Sequence, residues 1–360
     1  MLRCALLALG LARPAQAAEG EVSTALLVYS DDDHVTVISP RLGGRAELGA
    51  LTLDARYTVD AVSAASVDLV TAASPAGFSE LRHQASGAAE HALGAGARVR
   101  GGYGASVEPD FVGHGLDVGY QRDVLGRLAT VSASYALRYA TVMRARDPDF
   151  QRTRTGHEAG VGWAHVLGPA SVLDVGAGLD HSRGYLANPY RLVRLFSPGQ
   201  STSATAIVEA VPGTRTGAWL DARVRGREGR LSGRAEYRFA RDSWGVLAHT
   251  LEARGTLALA GETLLLTLQA RGYLQGHADF YRTRYQTFPE EPRYRTADKE
   301  LGRMWTALGG LDVEWSPNVR IGRALRLGVG FDLYHLRYPE HPVLRSRTAN
   351  VVTADATLEL

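Results

Sequence analysis

Residues 51 to 61 read LTLDARYTVDA. Leu51, Leu53, Ala55, Tyr57, Val59 and Ala61 fall on one side of an extended chain, and Thr52, Asp54, Arg56, Thr58 and Asp60 on the other. Side chains separate this way only at a period of two; a helix at 3.6 residues per turn would mix the two sets. The stretch is therefore a strand with one apolar face and one polar, charged face.

The same pattern recurs outward in both directions. Residues 97 to 107 place Arg98, Arg100 and Ser106, with Glu108 just beyond, opposite a face that carries Tyr103. Residues 131 to 139 set Tyr135, Leu137 and Tyr139 against Ser132, Ser134 and Arg138. Residues 231 to 239 set Leu231, Ala235, Tyr237 and Phe239 against Ser232, Arg234, Glu236 and Arg238. Trp305, Ala307, Leu311, Val313 and Trp315 oppose Thr306, Asp312 and Glu314. Sixteen strands follow, at about 22–30, 34–48, 51–63, 79–93, 96–107, 111–123, 128–142, 154–167, 171–183, 204–226, 230–240, 246–259, 262–275, 303–315, 324–337 and 349–360. A count of fourteen is the nearest alternative.

Alternation alone also fits a soluble sandwich. Connection lengths favour a barrel. Links after even strands are short, as at Gly49-Ala50, Gly94-Ala95, Leu125-Gly126, Gly168-Pro169, Glu228-Gly229 and Ala260-Gly261. Several links after odd strands are long: 64–78, 143–153, 184–203 and 276–302. Short turns on one rim and long loops on the other mark an outer-membrane, up-and-down antiparallel β-barrel, with both termini on the periplasmic side. Trp305 and Trp315 share a face ten residues apart. At about 3.3 Å per residue and a tilt of about 40°, they are separated by roughly 25 Å of height, the thickness of the apolar band of such barrels. Tyr57, Tyr103, Tyr135, Tyr139, Trp305 and Trp315 are accordingly expected in the membrane girdles.

Composition agrees and narrows the function. The 360 residues carry Lys+Arg 40 against Asp+Glu 38, a net charge of +2, and Lys299 is the only lysine, so no basic tract points to nucleic acid. No apolar run reaches about 18 residues, which excludes membrane-spanning helices but not strands. Arg3, the apolar stretch 4–12 and Ala15-Gln16-Ala17 have the layout of a signal peptide, 1–17, leaving a single barrel domain, 18–360. Cys4 is the only cysteine, so the mature chain would hold none and no disulfides.

Several ordered blocks resemble an outer-membrane β-barrel family known as domain of unknown function 3570. They are Tyr29-Ser30-Asp31-Asp32-Asp33 with Val35 and Pro40, and Asp60 to Ser66 with Ala64 where the family has glycine. Further blocks are Ser106 to Phe111, Gly184-Tyr185-Leu186-Ala187-Asn188-Pro189-Tyr190-Arg191, and Arg295 to Gly302. The resemblance implies a location and a fold, and no activity. The last strand also resembles the signal read by the barrel-insertion machinery, although Leu360 stands where an aromatic residue is usual. The expected partners are that machinery and outer-membrane lipids.

On this strand count, Asp31, Asp32, Asp33, Asp60, Ser63, Ser66, Glu108 and Asp110 lie at the extracellular rim. They either pack the loops over the mouth or form a site for a ligand, a partner or calcium, although no EF-hand spacing occurs. The polar face of Asp54, Arg56, Arg98, Arg100, Asp221, Arg223, Arg234, Arg238, Asp312 and Glu314 would line a lumen. His165, His181 and His249 sit in strands without a triad partner, and no G-x-S-x-G, H-E-x-x-H or P-loop is present; no catalytic residue, cofactor or metal is nominated. Three functions stay open: a porin-like channel for small solutes with a loop-restricted mouth, a non-conducting envelope scaffold with protein partners, and a rim enzyme. The link 276–302 combines Tyr281, Tyr285, Phe288 and Tyr294 with Arg282, Arg284, Arg293, Arg295, Glu290 and Glu291. Exposed rings would lose by hydration, so this loop is expected to fold over the pore, its arginines pairing with acids such as Asp60 and Glu108.

The leader and the alternation together predict that the mature chain starts at Ala18 and fractionates with the outer membrane. N-terminal sequencing of the fractionated protein checks both points. Recovery of the whole chain in the cytoplasm would contradict them.

Overall fold

Alternating strands with one apolar face need every backbone amide paired across strands, and closure of the sheet supplies that pairing. The computed structural model describes residues 19–64, 78–145, 147–200, 202–286, 292–319 and 322–360. The expected leader lies outside them.

The first strands are β1 (Glu19–Asp31), β2 (Val35–Leu48), β3 (Leu51–Ala64), β4 (Phe78–Gly94), β5 (Ala97–Glu108) and β6 (Phe111–Val124). Then come β7 (Ala129–Arg144), β8 (Asp147–Gly168), β9 (Ser171–Gly184), β10 (Leu192–Phe196), β11 (Thr205–Val208), β12 (Thr214–Glu228) and β13 (Leu231–Asp242). The last are β14 (Leu247–Leu259), β15 (Leu264–Gln275), β16 (Tyr285–Gln286), β17 (Met304–Trp315), β18 (Ala324–Arg337) and β19 (Ser346–Glu359). Sixteen of these form one closed antiparallel barrel in chain order, with β1 sealed against β19 from Glu21↔Glu359 to Asp31↔Ala349. The other three, β10, β11 and β16, make a small separate sheet within the long loops.

All sixteen barrel strands coincide with strands read from the sequence. Two boundaries differ. The stretch read as one strand, 204–226, is two: Thr205–Val208 belongs to the loop sheet, and the barrel strand begins at Thr214. Val211-Pro212-Gly213 separates them, and proline offers no amide to a ladder. The link 143–153 is not a loop, because β7 and β8 continue as a hairpin past a bulge at Met143/Arg144. Arg144, Asp147, Asp149 and Arg152 hide it in the sequence, since a hairpin standing clear of lipid needs no apolar face.

Parity holds around the whole circuit. Leu311 pairs with Leu268 and Phe331, and Phe331 with Val352, so the outward positions form a continuous apolar surface. On the opposite face Arg45, Asp54 and Arg56 line an internal cavity. The registers stagger neighbouring strands by about one residue on average, which corresponds to a tilt of about 37°. The short rim turns tightly: Leu125, Gly126 and Arg127 all have positive φ, as do Ala260, Gly261 and Glu262.

Height decides what an outward charge costs. Leu311 lies near the middle of the band between Trp305 and Trp315, whereas Leu53 lies two residues from the short-turn end of β3. Leu311→Arg should destabilise the inserted barrel by about 2–4 kcal/mol, and Leu53→Arg by about 0–1 kcal/mol. Thr52→Arg, which faces Glu47 and Glu90 across the ladder, and lumen-facing Thr306→Arg should be tolerated. Denaturant unfolding from lipid vesicles measures all four. Equal losses at inward and outward positions would refute the assignment of faces.

Candidate functional site

The lumen is lined by arginines and carboxylates laid across one another. All ten residues expected there occupy inward positions of the ladder. Asp54 is shared by Arg45 at 3.9 Å and Arg100 at 3.3 Å, and Arg98 lies 3.9 Å from Glu90. Arg223 pairs with Glu236 at 2.6 Å, Arg234 with Glu252 at 2.7 Å, and Arg254 with Asp312 at 3.4 Å. The side chains of these pairs are partly exposed, so each pair contributes little to stability. Their effect is to leave the wall polar with no ring of one sign. Asp221 faces Arg238 across the ladder, and Glu314 faces Leu265.

Trp219 is a lumen residue that the sequence reading passed over. It lies flat over two inward glycines, with the Arg238 guanidinium 4.3 Å from its ring centroid. A Cβ on Gly178 would stand 2.4 Å from the indole, so only glycine leaves room for it. Inward parity on β12 was the available signal. A cavity of about 1080 Å³ occupies the lumen, lined by Asp54, Arg56, Arg100, Asp117 and Arg138 among others, with Leu186 of the long loops at its edge.

The rim acids divide into two groups. The Asp31 side chain is fully buried; it accepts from the Tyr29 hydroxyl (2.7 Å) and the amides of Asp33 (3.0 Å) and Val35 (2.9 Å), and pairs with Arg347 at 3.5 Å. Asp32 accepts from the Thr348 amide at 2.9 Å. Asp31 and Asp32 therefore fix the β1–β2 turn; Asp33 is buried in the same turn. Asp60 accepts from the Ser39 hydroxyl, and Arg82 stands between it and Glu108, at 4.0 and 3.1 Å. Glu108 and Asp110 meet Glu80, whose carboxylate the sequence did not single out. Oxygens of the three lie within 4.8 Å of one another, the only such cluster among the described residues and the group that could hold a cation. Ser63, one residue before the end of β3, has the outward parity, and Ser66 lies outside the described residues.

The long loops pack into a cap. Val193, Leu195 and Tyr285 form one buried cluster, and Trp244, Val246, Ala278 and Tyr281 another. Thr296, with no exposed surface, donates to Glu209 at 2.5 Å; Glu209 also accepts from the Asn188 amide at 2.7 Å. Arg191 pairs with Asp298, so the two blocks 184–191 and 295–302 are joined directly. The Tyr190 hydroxyl fastens the cap to the barrel by donating to Asp110 at 2.6 Å; burial, then that bond, pushes its phenol up to about 12. The cap arginines do not pair with Asp60 or Glu108. Arg284 stacks on Phe196 and Arg295 donates to the Val208 carbonyl, because Arg82 already serves both acids. Phe288, Glu290 and Glu291 lie outside the described residues.

Outward, Trp315 is exposed and Trp305 partly covered at the two edges of the band, and Tyr139 is exposed near the Trp305 level. Exposed Tyr57, Tyr103 and Tyr135 share this face but by the stagger lie midway between the two tryptophans, in the band and not in a girdle. Face can be read from parity, and height only from register. His165, His181 and His249 also face outward, away from any lumen chemistry.

Solved barrels share the architecture. A bacterial polysaccharide outer membrane secretin aligns at a TM-score of 0.51 and 9% identity, over 95% of this chain and 98% of its own. The outer membrane protein OprD of Pseudomonas aeruginosa aligns at 0.48 and 8% identity, covering 95% of this chain and 94% of its own. OccK5 (OpdH) of the same organism gives 0.47 and 10%, covering 95% and 98%. No curated protein matches this sequence. One family model matches residues 143–350; the blocks at 184–191 and 295–302 fall inside it, and those at 29–40, 60–66 and 106–111 precede it. More than half the sequence is covered, and the chain belongs to the family described as protein of unknown function DUF3570.

Proposed function

We propose that this protein is a porin-like channel of the bacterial outer membrane, passing small polar solutes through a mouth narrowed by the cap. The observation that carries this is a polar cavity of about 1080 Å³ inside a barrel whose outer face is apolar. The inner wall carries the charged pairs Arg223–Glu236, Arg234–Glu252 and Arg254–Asp312, which suit a water-filled interior. Alternating signs screen one another, so conduction should show weak ion selectivity; strongly selective pores present rings of one charge. The solute is then excluded by size and polarity more than by charge. In this reading the long-loop rim is extracellular and both termini are periplasmic, the usual arrangement of such barrels.

The packed cap favours a second reading, a non-conducting scaffold that meets partners at its rim. Recording from single barrels in planar bilayers separates the two. The intact protein should give small, weakly selective steps. Deleting Tyr281 to Arg295, which removes Tyr281 and Tyr285 from the buried clusters, should raise the conductance while the barrel still assembles. Unchanged conductance in the folded deletion variant would reject the cap as the restriction, and silence in both proteins would favour the scaffold.

A further inference from the structure

Eleven histidines occur in the chain, and every one in a barrel strand faces outward: His83, His91, His114, His157, His165, His181, His249 and His335. Imidazoles are uncommon choices for a lipid-facing wall, so their placement needs a reason. With the stagger of about one residue per strand, six of them fall at one height to within about one residue, on β4, β6, β8, β9, β14 and β18. His91 and His165 fall eight residues nearer the short-turn rim, about 21 Å lower, level with Trp315.

Each of the six has its Nδ1 tied to a hydroxyl on the neighbouring strand. Tyr57 holds His83, Tyr103 holds His114, Tyr135 holds His157 and Tyr237 holds His249, all at 2.7 Å. Thr216 holds His181 at 2.8 Å and Thr348 holds His335 at 3.1 Å. A hydroxyl that donates to Nδ1 leaves the ring proton on Nε2, so a neutral imidazole still offers a donor to the outside. Exposed Arg183, Arg241 and Arg337 stand on the same face beside His181, His249 and His335. Among the described residues, one exposed carboxylate flanks this height, Asp32 in the β1–β2 turn, and it is already engaged by the Thr348 amide at 2.9 Å; the strand residues around the six histidines add none.

We propose that this collar is a seat for the phosphate groups of the lipid leaflet at the long-loop rim, each Nε2–H and the three guanidiniums donating to phosphate oxygens. The occupant follows from charge and position: a belt of donors and cations at one edge of an apolar band meets headgroups, and only anionic ones complement it. A purely mechanical girdle would use tryptophan and tyrosine and would ignore headgroup charge. The lower edge, with Trp315, Trp163 and His165 stacked on Trp163, has that simpler character.

The inference rests on the membrane-spanning reading but not on conduction. The purified barrel is placed in nanodiscs of phosphatidylcholine mixed with phosphatidic acid, washed briefly with detergent, and its retained lipids are measured by mass spectrometry. Phosphatidic acid should be enriched about fivefold, the factor one well-placed surface cation would give. The variant H83F/H114F/H157F/H249F should lose most of that enrichment, while H91F/H165F should keep it. Should the fourfold variant fail to fold, R183Q/R241Q/R337Q carries the same expectation. Excess inorganic phosphate should not displace the lipid; displacement would assign the donors to free phosphate and overturn the proposal. Undiminished enrichment in a folded collar variant would overturn it too. A barrel that never inserts would instead count against the membrane-spanning reading.

Discussion

A backbone amide carried unpaired into hydrocarbon costs several kcal/mol, and closing the sheet on itself removes that cost for every strand at once. The seal of β1 against β19 is therefore the contact on which the remainder depends. It fixes the stagger, the stagger fixes the tilt, and the tilt decides which side chains share a height. The Tyr–His contacts follow from it, since each tyrosine reaches a histidine that is diagonal to it on the next strand.

The two faces then solve opposite problems. Outside, apolar side chains replace a protein core, which is why few large residues of the barrel wall are buried in the protein itself. Inside, charged side chains need partners across the wall. Glycine makes the space: Gly176 gives way to Asp221, and Gly178 to Trp219. The conventional buried clusters are confined to the cap, where β10, β11 and β16 sit clear of the membrane.

Legibility in the sequence tracks these environments. Where lipid imposes a face, as along Leu51 to Ala61 or Trp305 to Trp315, period-two alternation located each strand to within a few residues. Where lipid is absent the signal fades: the Arg144–Arg152 hairpin looked like a loop, and Thr205–Val208 was merged with the barrel strand after it. Candidate residues behaved likewise. The inward charges could be read from parity, but their partners could not, because Arg234–Glu252 or Glu80–Glu108–Asp110 are defined by register between strands. For Asp31 to Asp33 the sequence left loop packing and a ligand site as alternatives, and they brace a turn; a short acidic run cannot itself show that its carboxylates are satisfied by Tyr29, Arg347 and nearby amides.

The central claim is a barrel with lipid on one face and water on the other. Single cysteines placed in turn along residues 306 to 313 of β17, in a protein whose Cys4 is replaced by serine, and labelled with a fluorophore test it most directly. Brominated lipid should quench the labels at 307, 309, 311 and 313, most strongly near 311, while an aqueous quencher should reach those at 306, 308, 310 and 312. Equal quenching of both sets, or quenching by water-borne reagent alone throughout, would contradict it.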